Sequence, residues 1–247
     1  MKEPLRLLRK ALSKHRKKPI AYVVAGHNGS GKSTLWRERL APGLRVPLIN
    51  ADRLTLSILP EPGANGRLVA WARELRDENE NWQRVSQEAV QAFTSIVMGQ
   101  KMAFAFETVF SDWRPQPDGT IASKIDLIRN LQKAGYAVVL LFVGLASAEL
   151  SIARVQTRVA NGGHSVRLDR LRSRFPRTQL AIRHAVDVAD VTLMFDNSGP
   201  LAAAFTLARF CTPDSVTYDV RDDPASQSVA ALASGWLSIV APLTSRH

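Results

Sequence analysis

The chain has 247 residues and one cysteine, Cys211, so it can neither close an internal disulfide nor build a cysteine-based metal cage. That usage fits a reducing compartment. No apolar run approaches the roughly 20 residues that a membrane-spanning helix needs. The basic start is not followed by a continuous apolar stretch, so no secretory leader is expected and a cytoplasmic enzyme is. There is no internal repeat, no low-complexity tract and no Asn-Lys-x-Asp sequence for guanine recognition, which argues against a GTPase switch. Acids are scarce: 22 Asp and Glu stand against 33 Lys and Arg, a net charge of +11. Such an excess suits nucleic acid, an acidic membrane surface or small polyphosphates, and its distribution matters more than its size.

The bases fall into two clusters. The first, from Arg6 to Lys18, is interleaved with Leu5, Leu7, Leu8 and Leu12 at helical spacing, as in an amphipathic helix with a solvated basic face. The second runs from Arg154 through Arg158, Arg167, Arg170, Arg172, Arg174 and Arg177 to Arg183. It holds arginine only, which suits bidentate phosphate recognition.

What is present most distinctly is one loop, Gly26-His27-Asn28-Gly29-Ser30-Gly31-Lys32-Ser33, followed by Thr34. It comes after an apolar run over 20–25 and leads into a helical stretch. This is the G-x-x-x-x-G-K-[ST] phosphate-binding pattern in its strand–loop–helix setting. Glycines let several backbone N–H groups point inward, and the helix start adds its positive end. Lys32 would reach the β- and γ-phosphates of a nucleoside triphosphate, and Ser33 would ligate Mg²⁺.

Strand and helix patterns alternate along the rest of the chain. Strands are expected over 45–50, 102–106, 136–143 and 191–195, and helices over 121–133 and 148–159. The stretch 67–98 reads as one long amphipathic helix or two, with Trp71 and Trp82 as core anchors. A basic helix is expected from Arg167 to Arg174, and Pro176 would open the next one. After residue 200, two edge strands and a closing helix are expected. The pattern specifies a three-layer α/β P-loop NTPase fold with a mostly parallel sheet and helices on both faces. We divide it into a basic N-terminal helix (1–18), a phosphate-binding domain (19–199) with an arginine-rich lid near 158–177, and a C-terminal extension (200–247) packed on the same domain.

In such a sheet, ligands bind at the carboxyl ends of the strands, so the residues just after each strand are the informative ones. Asp52 follows the second strand and is either a base that takes a proton from an attacking hydroxyl or a cap on the next helix. Glu107 follows the third. It would organise Mg²⁺, bind an acceptor hydroxyl, or pair with an arginine as a structural carboxylate. Arg158, the break Asn161-Gly162-Gly163-His164 and the arginines beyond it look like a flexible lid that folds over phosphates. His164 would cap the turn or touch phosphate.

The P-loop with Thr34, then Ile49-Asn50-Ala51-Asp52, Phe106-Glu107-Thr108, Arg158 to Val166, Arg174-Phe175 and Asp196-Asn197-Ser198, in that order and spacing, resembles the zeta-toxin family of P-loop kinases. The resemblance covers residues 19–199. It implies transfer of the γ-phosphate of ATP or GTP, with Mg²⁺, to a sugar hydroxyl. The best-known members act on the 3′-hydroxyl of the amino sugar in UDP-N-acetylglucosamine. It implies Asp52 as base, Lys32, Arg158 and Arg174 as catalytic cations, and Glu107 and Thr108 as acceptor contacts. An antitoxin protein would come in trans. The alternatives are a kinase for another hydroxyl compound, such as an antibiotic, a nucleoside or a polynucleotide end, and a nucleotide-dependent ATPase or binding module without acceptor chemistry. Nucleic acid is the less expected partner, because the arginines sit where a lid belongs.

Overall fold

The computed structural model describes residues 2–243; Met1 and residues 244–247, at the two ends of the expected terminal segments, lie outside the described residues. The chain opens with α1 (Lys2–Ala11), whose Leu8 is buried in the core with Leu5, Leu7 and Leu12 partly buried around it. β1 (Ile20–Gly26) follows and ends in the P-loop. Beyond the loop the chain winds through α2 (Lys32–Thr34), a π-helical stretch (Leu35–Leu40) and α3 (Ala41–Leu44). β2 is only Leu48–Ile49, shorter than expected, and leads into α4 (Ala51–Ser57).

Then come α5 (Ala70–Glu78) and α6 (Glu80–Gly99), so the long periodic stretch is two helices. Asn79 divides them: its backbone is extended, and its side chain accepts from Trp82 N to cap α6. β3 (Phe104–Thr108) starts and ends two residues later than expected. The helix expected from residue 121 begins only at 125. Its first residues form β5 (Ile121–Ser123), paired antiparallel with β4 (Trp113–Pro115) in a small hairpin ahead of α7 (Ile125–Lys133). The second half is β6 (Ala137–Gly144), α8 (Ala148–Ala160), α9 (Leu168–Val186), β7 (Val191–Asp196), β8 (Thr206–Thr212), β9 (Ser215–Asp219) and α10 (Gln227–Val240). Pro176 does not open a helix. It lies inside α9, where it removes one backbone donor without ending the helix.

The main sheet has seven strands in the order β2-β3-β1-β6-β7-β8-β9. The first five are parallel, and β8 and β9 extend the sheet antiparallel. Both faces are covered, so alternate residues of one strand enter different cores. Val138, Leu140 and Phe142 of β6 pack with α6, α7, α9 and α10, whereas Val139, Leu141 and Val143 pack with α1 and the P-loop helix. Leu35, Trp36 and Leu40 are the buried residues of that helix. Trp82 packs partly buried against Leu59, Leu68 and Ala72, but Trp71 is 58% exposed and anchors nothing in the core. Periodicity marks an apolar helix face without saying whether a neighbour covers it.

Register fixes where the strands end. Ala25 lies beside Thr108, Gly26 beside Val143, and Gly144 beside Asp196. The P-loop, Asp52, Glu107 and Asp196 are thereby brought to one edge, where residues of the P-loop, Asp52 and Glu107 line a cavity of about 760 Å³.

Candidate active site

Asn28, Gly29, Gly31, Lys32, Ser33 and Thr34 line this cavity. The loop is held from behind by side chains far away in sequence. Asn197 donates through Nδ2 to Ser30 O at 2.9 Å, and Ser151 of α8 donates to Asn28 O at 2.7 Å. Gly31 has φ +90°, and a Cβ there would sit 2.8 Å from the Asn197 amide and 3.0 Å from the Phe205 ring, so only glycine fits. The Lys32 ammonium donates to His27 O at 2.7 Å. Burial lowers its pKa, opposed by the carboxylates of Glu107 and Asp52 and reinforced by Arg158 and Lys124.

Gly26, His27 and Ser30, expected along the nucleotide, do not line the cavity. The His27 ring is 1% exposed and stacks on Phe175 of α9 with centroids 3.9 Å apart, edge-on to Phe142. Neither ring nitrogen has a hydrogen-bond partner. Burial, helped by the Lys32 charge, pushes its pKa down to about 3, so the ring is neutral at ordinary pH. His27 therefore joins the loop to the lid helix by packing.

Ser33 Oγ donates to Glu107 Oε1 at 2.6 Å, while Glu107 Oε2 is buried without a partner. Among the three readings of Glu107, the arginine pair is not formed, and its carboxylate meets the P-loop serine. That hydroxyl and that orphaned oxygen are hard oxygen donors of the kind that suit Mg²⁺, so the residues present fit the ion. Among the described residues no group of three or more His, Cys, Asp or Glu side chains offers another place for it. Asp52 is exposed at the cavity wall, in the first turn of α4. It does not cap that helix: Asn50 does, accepting from Arg53 N at 3.0 Å. Thr108 is buried, and its hydroxyl accepts hydrogen bonds from Lys124 Nζ and, at 3.3 Å, from Phe110 N.

Arg158 and Arg174 both reach the cavity, as do Arg37, Arg154 and Arg177. Desolvation lowers the pKa of Arg158, Arg154 and Arg174. The lid loop between α8 and α9 is not a glycine hinge. Gly162 has φ +84°, and a Cβ on it would come within 2.3 Å of Gly66 O; one on Gly163 would meet Arg158 Cγ at 2.5 Å. These glycines permit close packing. Buried Arg76 donates to Gly162 O and Gly163 O, each at 3.2 Å. Asp77 holds the His164 Nδ1 at 2.7 Å and accepts from Ser165 Oγ at 3.2 Å.

His164 thus binds a helix carboxylate instead of capping its turn, although its ring also borders the cavity. Its carbonyl accepts from Arg158 at 2.8 Å, so the Arg76–Asp77 clasp sets the position of Arg158. Burial alone would raise the Asp77 pKa, but hydrogen bonds from Arg76 and His164 outweigh it and hold the carboxyl below its usual value. A second cavity of about 560 Å³ adjoins the first and shares Asp52, Gln87, His164 and Arg174 with it.

Sequence reasoning missed Lys124, Arg76 and Asp77 as parts of the site. None follows a main-sheet strand; Lys124 is placed by the β4–β5 hairpin, and Asp77 reaches the lid from 87 residues away.

A family model described as Zeta toxin matches residues 6–200. An uncharacterized protein of Haemophilus influenzae is 27% identical over 169 residues, 68% of this chain and 100% of its own. Among solved structures, the native AvrRxo1-ORF1:-ORF2 complex aligns with TM-score 0.61 at 13% identity, over 96% of this chain and 68% of that one. The same complex with ATP aligns at 0.59 and 12% identity, again over 96% and 68%. The PezAT chromosomal toxin-antitoxin system of Streptococcus pneumoniae aligns at 0.52 and 13% identity, over 96% of this chain and 88% of that one. At these identities the likeness is one of fold.

Proposed function

This chain belongs to the Zeta toxin family, and on that premise we propose that it is a P-loop kinase moving the γ-phosphate of ATP or GTP to a hydroxyl of a nucleotide sugar such as UDP-N-acetylglucosamine. The observation that carries this reading is Asp52: its carboxylate is exposed at the cavity wall beside the P-loop, with the helix cap already supplied by Asn50. A binding ATPase needs no base there. An ATP complex of the AvrRxo1 relative supports a nucleoside triphosphate as donor.

In this reading the triphosphate lies against the loop's N–H groups and Lys32. Ser33 and Glu107 would hold Mg²⁺, which supplies charge neutralisation at the phosphates. Arg158 and Arg174 stabilise charge on the migrating phosphoryl group, and Arg158 is oriented by the His164 carbonyl. Asp52 accepts the proton of the attacking hydroxyl. Lys124 tethers the Thr108 hydroxyl, so Thr108 contributes through that pair. The protein works in the cytoplasm, where both substrates are; among the described residues no helix is long and apolar enough to cross a membrane. The toxin-antitoxin nature of PezAT supports an antitoxin as a partner in trans.

The test is incubation with γ-labelled ATP and a panel of UDP-sugars, nucleosides and RNA ends. Label is expected in UDP-N-acetylglucosamine. Asp52→Asn should keep nucleotide binding and lose about 10²- to 10⁴-fold in transfer. Label appearing solely as free phosphate under every condition would overturn the kinase reading in favour of an ATPase.

A further inference from the structure

Charge in the main cavity is out of balance. Seven lysine and arginine side chains line it against three carboxylates. A triphosphate with its divalent ion offsets only part of that excess. The surplus is most evident beside the end of β3. There Lys124 stands between the Thr108 hydroxyl, to which it donates, and the face of Phe106, whose ring centroid is 5.9 Å from Nζ. Asp112, the carboxylate whose charge acts on it, is already ion-paired with Arg114 at 2.7 Å. Among the described residues Lys124 has no carboxylate within ion-pair distance. Arg174 and Arg177, three residues apart on α9, border the same cavity and add like charge. A half-buried cation without a counter-ion is costly unless a ligand supplies one.

We propose that Lys124, with Arg174 and Arg177 lining the same cavity, forms an anion subsite that grips a phosphate or pyrophosphate group of the acceptor, so that Lys124 determines which hydroxyl compounds are accepted. The proposal rests on the kinase reading above and adds to it the residue that holds the acceptor's charged part. Lys124 delivers only one of its three ammonium protons to Thr108, which leaves two for ligand oxygens. The threonine fixes the lysine, and the lysine is free to bind.

The test uses the full chain with its P-loop filled by saturating Mg²⁺ and AMP-PNP. It reads acylation of Lys124 by an N-hydroxysuccinimide ester in mass spectra, with exposed Lys133 of α7 as internal reference. Inorganic pyrophosphate is the probe. It should protect Lys124 and leave Lys133 unchanged. Lys124→Met should weaken pyrophosphate binding at least ~10-fold while AMP-PNP affinity holds, and Lys124→Arg should restore most of it. UDP-N-acetylglucosamine and N-acetylglucosamine 1-phosphate, used in place of pyrophosphate, should protect as well, and their relative strength tells a diphosphate bridge from a sugar phosphate. Three results would each overturn the proposal: no protection by pyrophosphate, equal affinity in Lys124→Met, or full protection by AMP-PNP alone, which would give Lys124 to the donor. Failure of AMP-PNP to bind counts against the kinase reading instead, and pyrophosphate protection can still be measured without it.

Discussion

His27 shows how much one side chain can carry from outside the cavity lining. Its ring is buried, unpartnered at both nitrogens and stacked on Phe175. With a folded pKa of about 3 against the ordinary 6.5, it binds no proton in the folded state over a range where the unfolded chain does. Stability from this residue is therefore complete above pH 6.5 and is lost as pH falls from 6.5 towards 3. At pH 5 the loss amounts to about 2 kcal/mol. His27→Phe, which keeps the stack and removes the titration, should be more stable than the parent at pH 5 by about that amount. The gap should narrow to well under that at pH 7.5, as read from urea melts at both pH values. Equal pH slopes for the two proteins would rule this account out.

At the scale of elements, the lid is clasped to α5 rather than hung on a glycine hinge. Gly162→Ala would drive a Cβ against Gly66 O and impose a left-handed conformation on alanine. The expected cost is about 2 kcal/mol, with faster hydrogen exchange across 161–167 and slower phosphoryl transfer because the Arg158 anchor shifts. Gly99→Ala, where a Cβ would meet nothing within 4 Å, serves as the control and should be neutral or slightly stabilising. The P-loop, β1, β6 and the acids after the strands were legible because each is a local signal: a spaced glycine pattern, or an apolar run ending in a polar residue. Lys124 and the Arg76–Asp77 clasp were not, because the hairpin and the packing of α5 on the lid give those residues their meaning. Nothing in the neighbourhood of Asp77 points 87 residues ahead to His164. The Gly162-Gly163 pair was legible as a break but not as a close contact, since the crowding atoms belong to Gly66 and Arg158. Pro176 is a related case: the packing of α9 outweighs the loss of one donor, so the helix runs through it.

For the molecule as a whole, the segment after residue 200 is built into the site's foundations. The Trp236 indole donates to Asp196 at 2.9 Å and lies so close to Gly144 that a Cβ there would be 2.5 Å from its ring. Trp236→Ala should cost about 3–5 kcal/mol in urea unfolding. A chain ending at residue 200, where the family match ends, should fail to give a cooperative melt by circular dichroism, because β7 would lose β8 as its partner and Gly31 the Phe205 ring. A cooperative melt of that truncated chain would show the segment to be dispensable.

The backing of Gly31 by Asn197 and Phe205 also bears on time. Asn197 and Ser151 fasten the loop's carbonyls from outside, so its shape is completed when the protein folds and not when a nucleotide arrives. A ligand meets a finished mould, and the entropy of ordering the loop is already spent. Preference among nucleotides must then come from the contacts each one makes, because none has to shape the loop that receives it.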